Sequence, residues 1–140
     1  MSDHYRLLER IYAVAPVNGF IEPTMVVSDG EAEIRAAVRR DWFHTAGAVH
    51  GSIFFKLLDD ACFFAANALV PDVFVLTSDF HIRMLRPVTE GELVAVGRVV
   101  NRSRRLIVAE GTLHCGGKLV ATGTGSFMPS SIRLDGLLPE

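Results

Sequence analysis

The sequence predicts an α+β chain in which an antiparallel sheet wraps one long central helix. Three observations carry this. Residues 51 to 69 place Ile53, Phe54, Leu57, Leu58, Ala61, Cys62, Phe64, Ala65 and other apolar residues in nearly every direction around a helix, so other elements must cover that helix. The segments on both sides alternate apolar and polar residues, the period of strands with one face buried. Short turn signals, Asp29-Gly30 and Gly116-Gly117, join neighbouring strands as hairpins.

Taken in order, Leu7, Leu8, Ile11 and Tyr12 recur at helical spacing and predict an amphipathic helix over residues 3–14, stopped by Pro16 and packed as an outer lid. A strand around Thr24–Ser28 precedes one from Glu31 to Arg39, in which Ala32, Ile34, Ala36 and Val38 share a face. The central helix follows and ends before Pro71. Beyond it, Phe74, Leu76, Phe80, Ile82 and Met84 predict the inner face of the next strand, with Thr77, Asp79, His81 and Arg83 on the other face; Arg86-Pro87 ends it. Strands at about 91–101, 105–115 and 118–128 complete a helix, two strands, the long helix and about four strands, and a loosely ordered tail is expected from Pro129. The chain reads as one domain over residues 1–140, with a helical N-terminal segment at 1–19 and a tail at 129–140.

Composition bounds the function. A chain of 140 residues, about half of them apolar, can bury a real core, and a net charge of -2 with a pI near 6.2 argues against nucleic acid as a partner. The N-terminus is too polar for a signal peptide, and no apolar run reaches membrane-spanning length, so a cytoplasmic protein without membrane contact is expected. Cys62 and Cys115 lack C-x-x-C spacing and read as reduced core cysteines. Gly123-Thr-Gly125 lacks the third glycine of a dinucleotide-binding turn and is read as strand packing; Ser126 has no nucleophile-elbow setting.

The chemistry concentrates at Asp59 and Asp60, two carboxylates in a helix that otherwise reads as buried. Removing an ionised carboxylate from water costs several kcal/mol, so such a group is paired, hydrogen-bonded, protonated or functional. On periodicity alone both can pair with Lys56 at i,i+3 and i,i+4 as an ordinary charged stripe. His50-Gly51 opens the same helix, and unpaired N–H groups at a helix start favour negative charge. His50 taken alone reads as a cap or a packed loop residue. His44, His50 and Asp59 have no recognised metal-ligand spacing, and no metal or redox cofactor is expected.

Gly47-Ala-Val-His50-Gly51, Asp59 nine residues beyond His50, and Met84-Leu85-Arg86-Pro87 at the end of the next strand together resemble the hotdog-fold acyl-CoA thioesterases, phenylacetate-degradation type (4-hydroxybenzoyl-CoA thioesterase-like), over roughly residues 20–128. The resemblance implies an α+β hotdog fold and a homodimer or dimer-of-dimers homotetramer, with the helix start of one chain facing the helix carboxylate of another. It also implies that the Gly51 N–H polarises the thioester carbonyl, that His50 orients the thioester or its loop, that Asp59 is general base or nucleophile, and that Thr77 positions water. His44 stands where the family often has a water- or carbonyl-binding Asn, and Ser52 replaces a second glycine. Asp60 keeps the structural reading.

The function implied is hydrolysis of a medium-sized acyl or aryl-acyl coenzyme A to free acid and coenzyme A, without a cofactor. The alternative is a non-catalytic hotdog module that binds acyl-CoA or serves assembly; a hotdog dehydratase is disfavoured because its usual His-plus-acid signatures are not evident. Arg83, Arg86, Arg102, Arg104 and Arg105 form the most basic stretch, read either as a solvated strand end and turn or as contacts to coenzyme A phosphates, with Arg83, Arg86 and Arg104 as the candidates. Phe54, Phe55, Phe63, Phe64 and Phe80 could line an aromatic acyl pocket or simply fill the core.

Overall fold

A computed structural model describes residues 2–139. Helix α1 (Ser2–Ala13) is followed by the single turn α2 (Asn18–Ile21), the hairpin β1 (Thr24–Ser28) and β2 (Glu31–Ala37), a 3-10 turn at Arg40–Trp42, and the central helix α3 (Gly51–Asn67). Four strands complete the order: β3 (Val73–Met84), β4 (Glu92–Arg102), β5 (Ile107–Cys115) and β6 (Lys118–Arg133). All six strands form one antiparallel sheet, β1-β2-β4-β5-β6-β3, and α3 packs against the face it presents inward. This is the hotdog arrangement that the resemblance implies.

Small residues let helix and sheet approach closely. Ala61 and Ala65 on α3 and Ala68 just past its end are fully buried, and Gly97 of β4 passes directly beneath Ala61. A Cβ on Gly97 would overlap the backbone of Ala61 and Cys62, where no rotamer change can relieve it. Gly97→Ala is therefore expected to destabilise the chain by about 3 kcal/mol, at the upper end for overpacking, seen as a drop in Tm of roughly 10 °C. An unchanged Tm would mean that α3 sits farther from β4 than described. Gly123 and Gly125 serve the same end: a Cβ on either would meet the Phe80 ring at 2.6 and 2.5 Å, so the glycine pair is strand packing under an aromatic ring.

Four expectations need correction. First, α3 is not covered all round. Ser52 and Phe55 are exposed and Asp59 and Phe63 half-buried, so an open stripe runs along the helix at i, i+3, i+7 and i+11. Second, β3 does not keep one phase. Its register against β6 shifts between Thr77 and Asp79, leaving Ser78 as an extra residue. Thr77 lies opposite the fully buried Phe127, while past the bulge Phe80 and Ile82 take the inner face opposite Gly125 and Gly123. Val75, not Leu76, is the buried residue of the first half; Leu76 is 47% exposed. Third, Pro129 does not begin a loose tail: β6 continues to Arg133, and the following turn buries Leu134, whose N–H donates to Asp72 O at 2.9 Å. Fourth, α1 is more than an outer lid, since Leu8 and Tyr12 are buried in the main core.

Cys62 is buried and Cys115 half-buried, and neither is in a disulfide. Burial pushes the Cys62 thiol up to about 12, which makes it inert. No helix is long and apolar enough to cross a membrane among the described residues.

Candidate active site

The start of α3 is held by its own loop. Phe43 bridges to Val49, His44 N–H donates to Ala48 O at 2.9 Å, and Gly47, at φ +87, closes the turn with an N–H bond to His44 O at 3.0 Å. His50 is the N-cap: its Nδ1 accepts the Ser52 N–H at 3.0 Å, and its own N–H reaches Trp42 O at 2.9 Å. Ile53 N–H goes to His50 O, but among the described residues the Gly51 N–H has no acceptor. It is an available donor at the positive end of a 17-residue helix. Ser52 sits in the first helical turn, where it needs no glycine.

Gly51 opens onto a groove of about 310 Å³ that it shares with His44, Phe54, Met84, Leu85 and Arg86. The end of β3 and the start of α3 are thus neighbours, which explains why the Met84-Leu85-Arg86-Pro87 phrase accompanies the His50-Gly51 start. His44 is exposed and its Nδ1 accepts the Ala46 N–H at 3.1 Å, so a neutral His44 carries its proton on Nε2. The two histidine rings stand 6.5 Å apart, centre to centre.

Asp59 and Asp60, adjacent in sequence, have opposite surroundings. Asp60 accepts the Tyr12 hydroxyl at 2.7 Å and is paired with Lys56 across one helical turn, while the Lys56 ammonium lies 5.0 Å over the Tyr12 ring. Among the described residues, Lys56 thus forms its ion pair with Asp60 and not with Asp59. Burial holds the Asp60 carboxyl above its ordinary range despite that pairing, and burial with the Asp60 charge raises the Tyr12 phenol further. Among the described residues, Asp59 accepts only the Thr77 hydroxyl, at 3.0 Å. Desolvation raises its carboxyl to about 6, with the Thr77 hydrogen bond opposing. Thr77 reaches Asp59 because the Ser78 bulge lets it face the helix while Asp79 faces away; simple alternation places both on the same outer face.

This environment has two measurable signs. A base at Asp59 must be ionised, so activity should fall as pH drops through about 6. The folded chain also holds this proton more tightly than the unfolded chain. Between about pH 4 and 6 stability therefore falls as pH rises, and the deficit is complete above pH 6. Asp59→Asn should accordingly melt a few degrees above the parent at pH 7.5, by roughly 2–5 °C, with the gap closing near pH 4. A variant that melts below the parent at pH 7.5 would show that the carboxylate is stabilised by its surroundings.

The sequence-level site residues fall into two groups. His44, His50 and Gly51 stand at the helix start, whereas Asp59 lies eight residues beyond Gly51, about 12 Å along the axis, with Thr77 of β3 hydrogen-bonded beside it. Asp59 and Thr77 line a second pocket, with Tyr12, Lys56 and Phe63. The arginines are dispersed: Arg86 shares the Gly51 groove, Arg83 lies on the outer sheet face beside Arg98 and His114, and Arg104 sits at the β4–β5 turn with Arg102. The expected Phe set divides too, with Phe54 and Phe64 buried, Phe55 half exposed and packed edge-on against Phe80, and Phe63 facing the second pocket. Sequence reasoning missed Tyr12 and Phe74 as neighbours of the carboxylates; only the amphipathic phase of α1 hints that Tyr12 turns inward.

Residues 46–122 match the family model described as the thioesterase superfamily, more than half of the chain. No curated protein matches. Among solved structures, a conserved protein from Pseudomonas aeruginosa is 29% identical, covering 84% of this chain and 96% of its own, with a TM-score of 0.80. A phenylacetic acid degradation-related protein from Ralstonia eutropha JMP134 is 27% identical over 89% of this chain and 98% of its own, with a TM-score of 0.79. The E. coli PaaI protein from the phenylacetic acid degradation operon has a TM-score of 0.85 over 94% of this chain and 96% of its own, and at 18% identity it is alike in fold.

Proposed function

The chain belongs to the thioesterase superfamily and is a thioester hydrolase, and from that premise we propose that it cleaves a medium-sized acyl or aryl-acyl coenzyme A to the free acid and coenzyme A. The observation that carries this reading is Asp59: a half-buried carboxylate without a cationic partner, held by one hydroxyl and raised to about 6 beside an apolar pocket. Such a group accepts a proton from water readily near neutral pH. Thr77 fixes its orientation and lies where a water can be held between hydroxyl and carboxylate. As water adds to the carbonyl, negative charge gathers on the oxygen, and the Gly51 N–H at the helix start receives it; removing such a donor costs about 3 to 4 kcal/mol in comparable sites. His50 acts through its cap, holding the Gly51 N–H in place. His44, with Nδ1 engaged and Nε2–H free, donates to the carbonyl in the role of the absent amide. The tetrahedral adduct then collapses with cleavage of the C–S bond, and the departing coenzyme A sulfur takes the proton that Asp59 removed from water, which releases the free thiol and returns Asp59 to its ionised form.

These roles need two chains. One thioester carbonyl cannot contact Gly51 and Asp59 of the same helix about 12 Å apart. The twelve-residue β3 is a sheet edge that carries exposed Leu76 and Met84, with exposed Leu85 just after it, and the open α3 stripe adjoins it through Phe55 and Phe80. Long, apolar edges invite pairing with another chain. A second copy laid along β3 and α3 in antiparallel fashion brings its own Gly51 toward this Asp59, so a homodimer, alone or paired into a tetramer, is the functional unit. Arg86, at the Gly51 groove, is the arginine placed to meet the phosphates of coenzyme A.

The test is release of free thiol from a panel of acyl-coenzyme A esters, from acetyl through octanoyl and phenylacetyl to palmitoyl. Hydrolysis peaking at the intermediate members supports the reading. Binding of these esters without turnover by a folded dimer would make the chain a non-catalytic acyl-CoA module.

A further inference from the structure

The pocket beside Asp59 is built by two layers that the family match separates. Its far wall is Phe63 and Phe74, whose rings lie 4.8 Å apart, and its near wall is Ile11, Ala15 and Val17 from α1 and the turn that follows. That near wall lies outside residues 46–122, the segment shared with the family. Asp59 and Thr77 line the same pocket, which is open to the surface and has a volume of about 220 Å³.

The near wall is fixed, not a mobile flap. Tyr12 is 4% exposed, donates to Asp60, packs edge-on against Phe64 at 5.1 Å, and accepts the Asn18 amide on its backbone oxygen at 2.8 Å. Glu9 accepts the Val27 N–H at 2.8 Å, Arg6 donates to Val27 O at 2.7 Å, and His4 bonds Asn67 O at 2.8 Å, so β1 and the end of α3 both anchor α1. Asp60 and Lys56, spent on holding Tyr12, are thereby explained without a place in the chemistry.

We propose that this pocket receives the acyl end of the thioester and that Ile11, Ala15 and Val17 determine which acyl groups enter. The proposal rests on Asp59 acting at the carbonyl, as argued above, and goes beyond it by assigning specificity to the N-terminal segment. With the carbonyl carbon at Asp59, an acyl chain has a mainly apolar, aromatic-walled space beside it, in which the polar lining besides Asp59 and Thr77 is Asn18 and the Lys56–Asp60 pair held to the Tyr12 hydroxyl. A cavity of about 150 Å³ accommodates benzene, so about 220 Å³ admits one ring on a short linker or an unbranched chain of intermediate length, and a long fatty chain meets the anchored α1. Each methylene that a pocket accepts or refuses changes kcat/KM by about 10-fold or more.

The experiment compares kcat/KM for acetyl-, octanoyl-, phenylacetyl- and palmitoyl-coenzyme A in the full-length parent, Ala15→Leu, which fills the pocket, and Val17→Ala, which opens it at an exposed position. The octanoyl-to-acetyl and phenylacetyl-to-acetyl ratios should fall at least about tenfold in Ala15→Leu, and the palmitoyl-to-octanoyl ratio should rise in Val17→Ala. Ratios unchanged in both folded variants would overturn the assignment while leaving hydrolysis itself standing. A second readout is independent of turnover: octanoate and phenylacetate should bind Asp59→Asn calorimetrically and lose at least about tenfold in affinity in Asp59→Asn/Ala15→Leu. Failure of both acids to bind Asp59→Asn would overturn the pocket whatever the parent hydrolyses, whereas binding without hydrolysis by the parent would overturn the catalytic reading alone.

Discussion

Asp59→Asn should lose between about 10²- and 10⁴-fold in kcat for thiol release on the best acyl-coenzyme A, the usual contribution of a positioned general base. The amide is isosteric, can still accept the Thr77 hydroxyl bond through its oxygen, and removes a desolvated charge, so the loss should occur in a chain at least as stable as the parent. That combination, less activity with more stability, separates a functional carboxylate from a structural one. Asp60→Asn should behave in the opposite way. It weakens the pairing with Lys56 and the Tyr12 hydrogen bond, so Tm falls, while hydrolysis drops by less than about tenfold because Asp60 touches no reacting atom. Thiol release and Tm measured on both variants decide the matter: equal turnover by Asp59→Asn and parent would remove Asp59 as base, and a collapse confined to Asp60→Asn would transfer the role to its neighbour.

The contrast between these two carboxylates also marks how far the sequence could be read. Local patterns were sufficient for the elements: apolar saturation made α3 evident, Asp29-Gly30 and Gly116-Gly117 set two hairpins, and alternation marked β2. The distinction between Asp59 and Asp60 came only from spacing to His50, since both are one helical turn from Lys56. What decides it physically is Tyr12, 48 residues away, which captures Asp60 and with it Lys56. No local signal encodes that pairing. The β3 bulge was invisible for a related reason. Strict alternation assigned Thr77 to the outer face, and a single extra residue at Ser78, compelled by pairing with β6, reverses the phase and turns Thr77 to Asp59. The open stripe on α3 is not legible in the sequence because apolar residues on all sides imply burial without saying by which chain; Phe55 and Leu76 are left exposed where a second copy is expected to cover them.

That second copy leads to the expected result with the sharpest geometric content. If the site joins Gly51 of one chain to Asp59 of another, subunits carrying Asp59→Asn and subunits carrying His50→Ala should each be poorly active alone, the first lacking the base and the second lacking the cap that holds the Gly51 N–H. When the two are unfolded together and refolded in equal amounts, half of the dimers are mixed. Each mixed dimer has one site with both defects and one site with neither, so recovered activity should approach about a quarter of the parent's. Sites built within one chain can give no such recovery, because every chain keeps its own defect. A mixture no more active than the average of its two components would therefore place Gly51 and Asp59 in separate functions, and a fully active isolated monomer would do the same. The 12 Å that separate these residues along α3 make the first outcome the expected one.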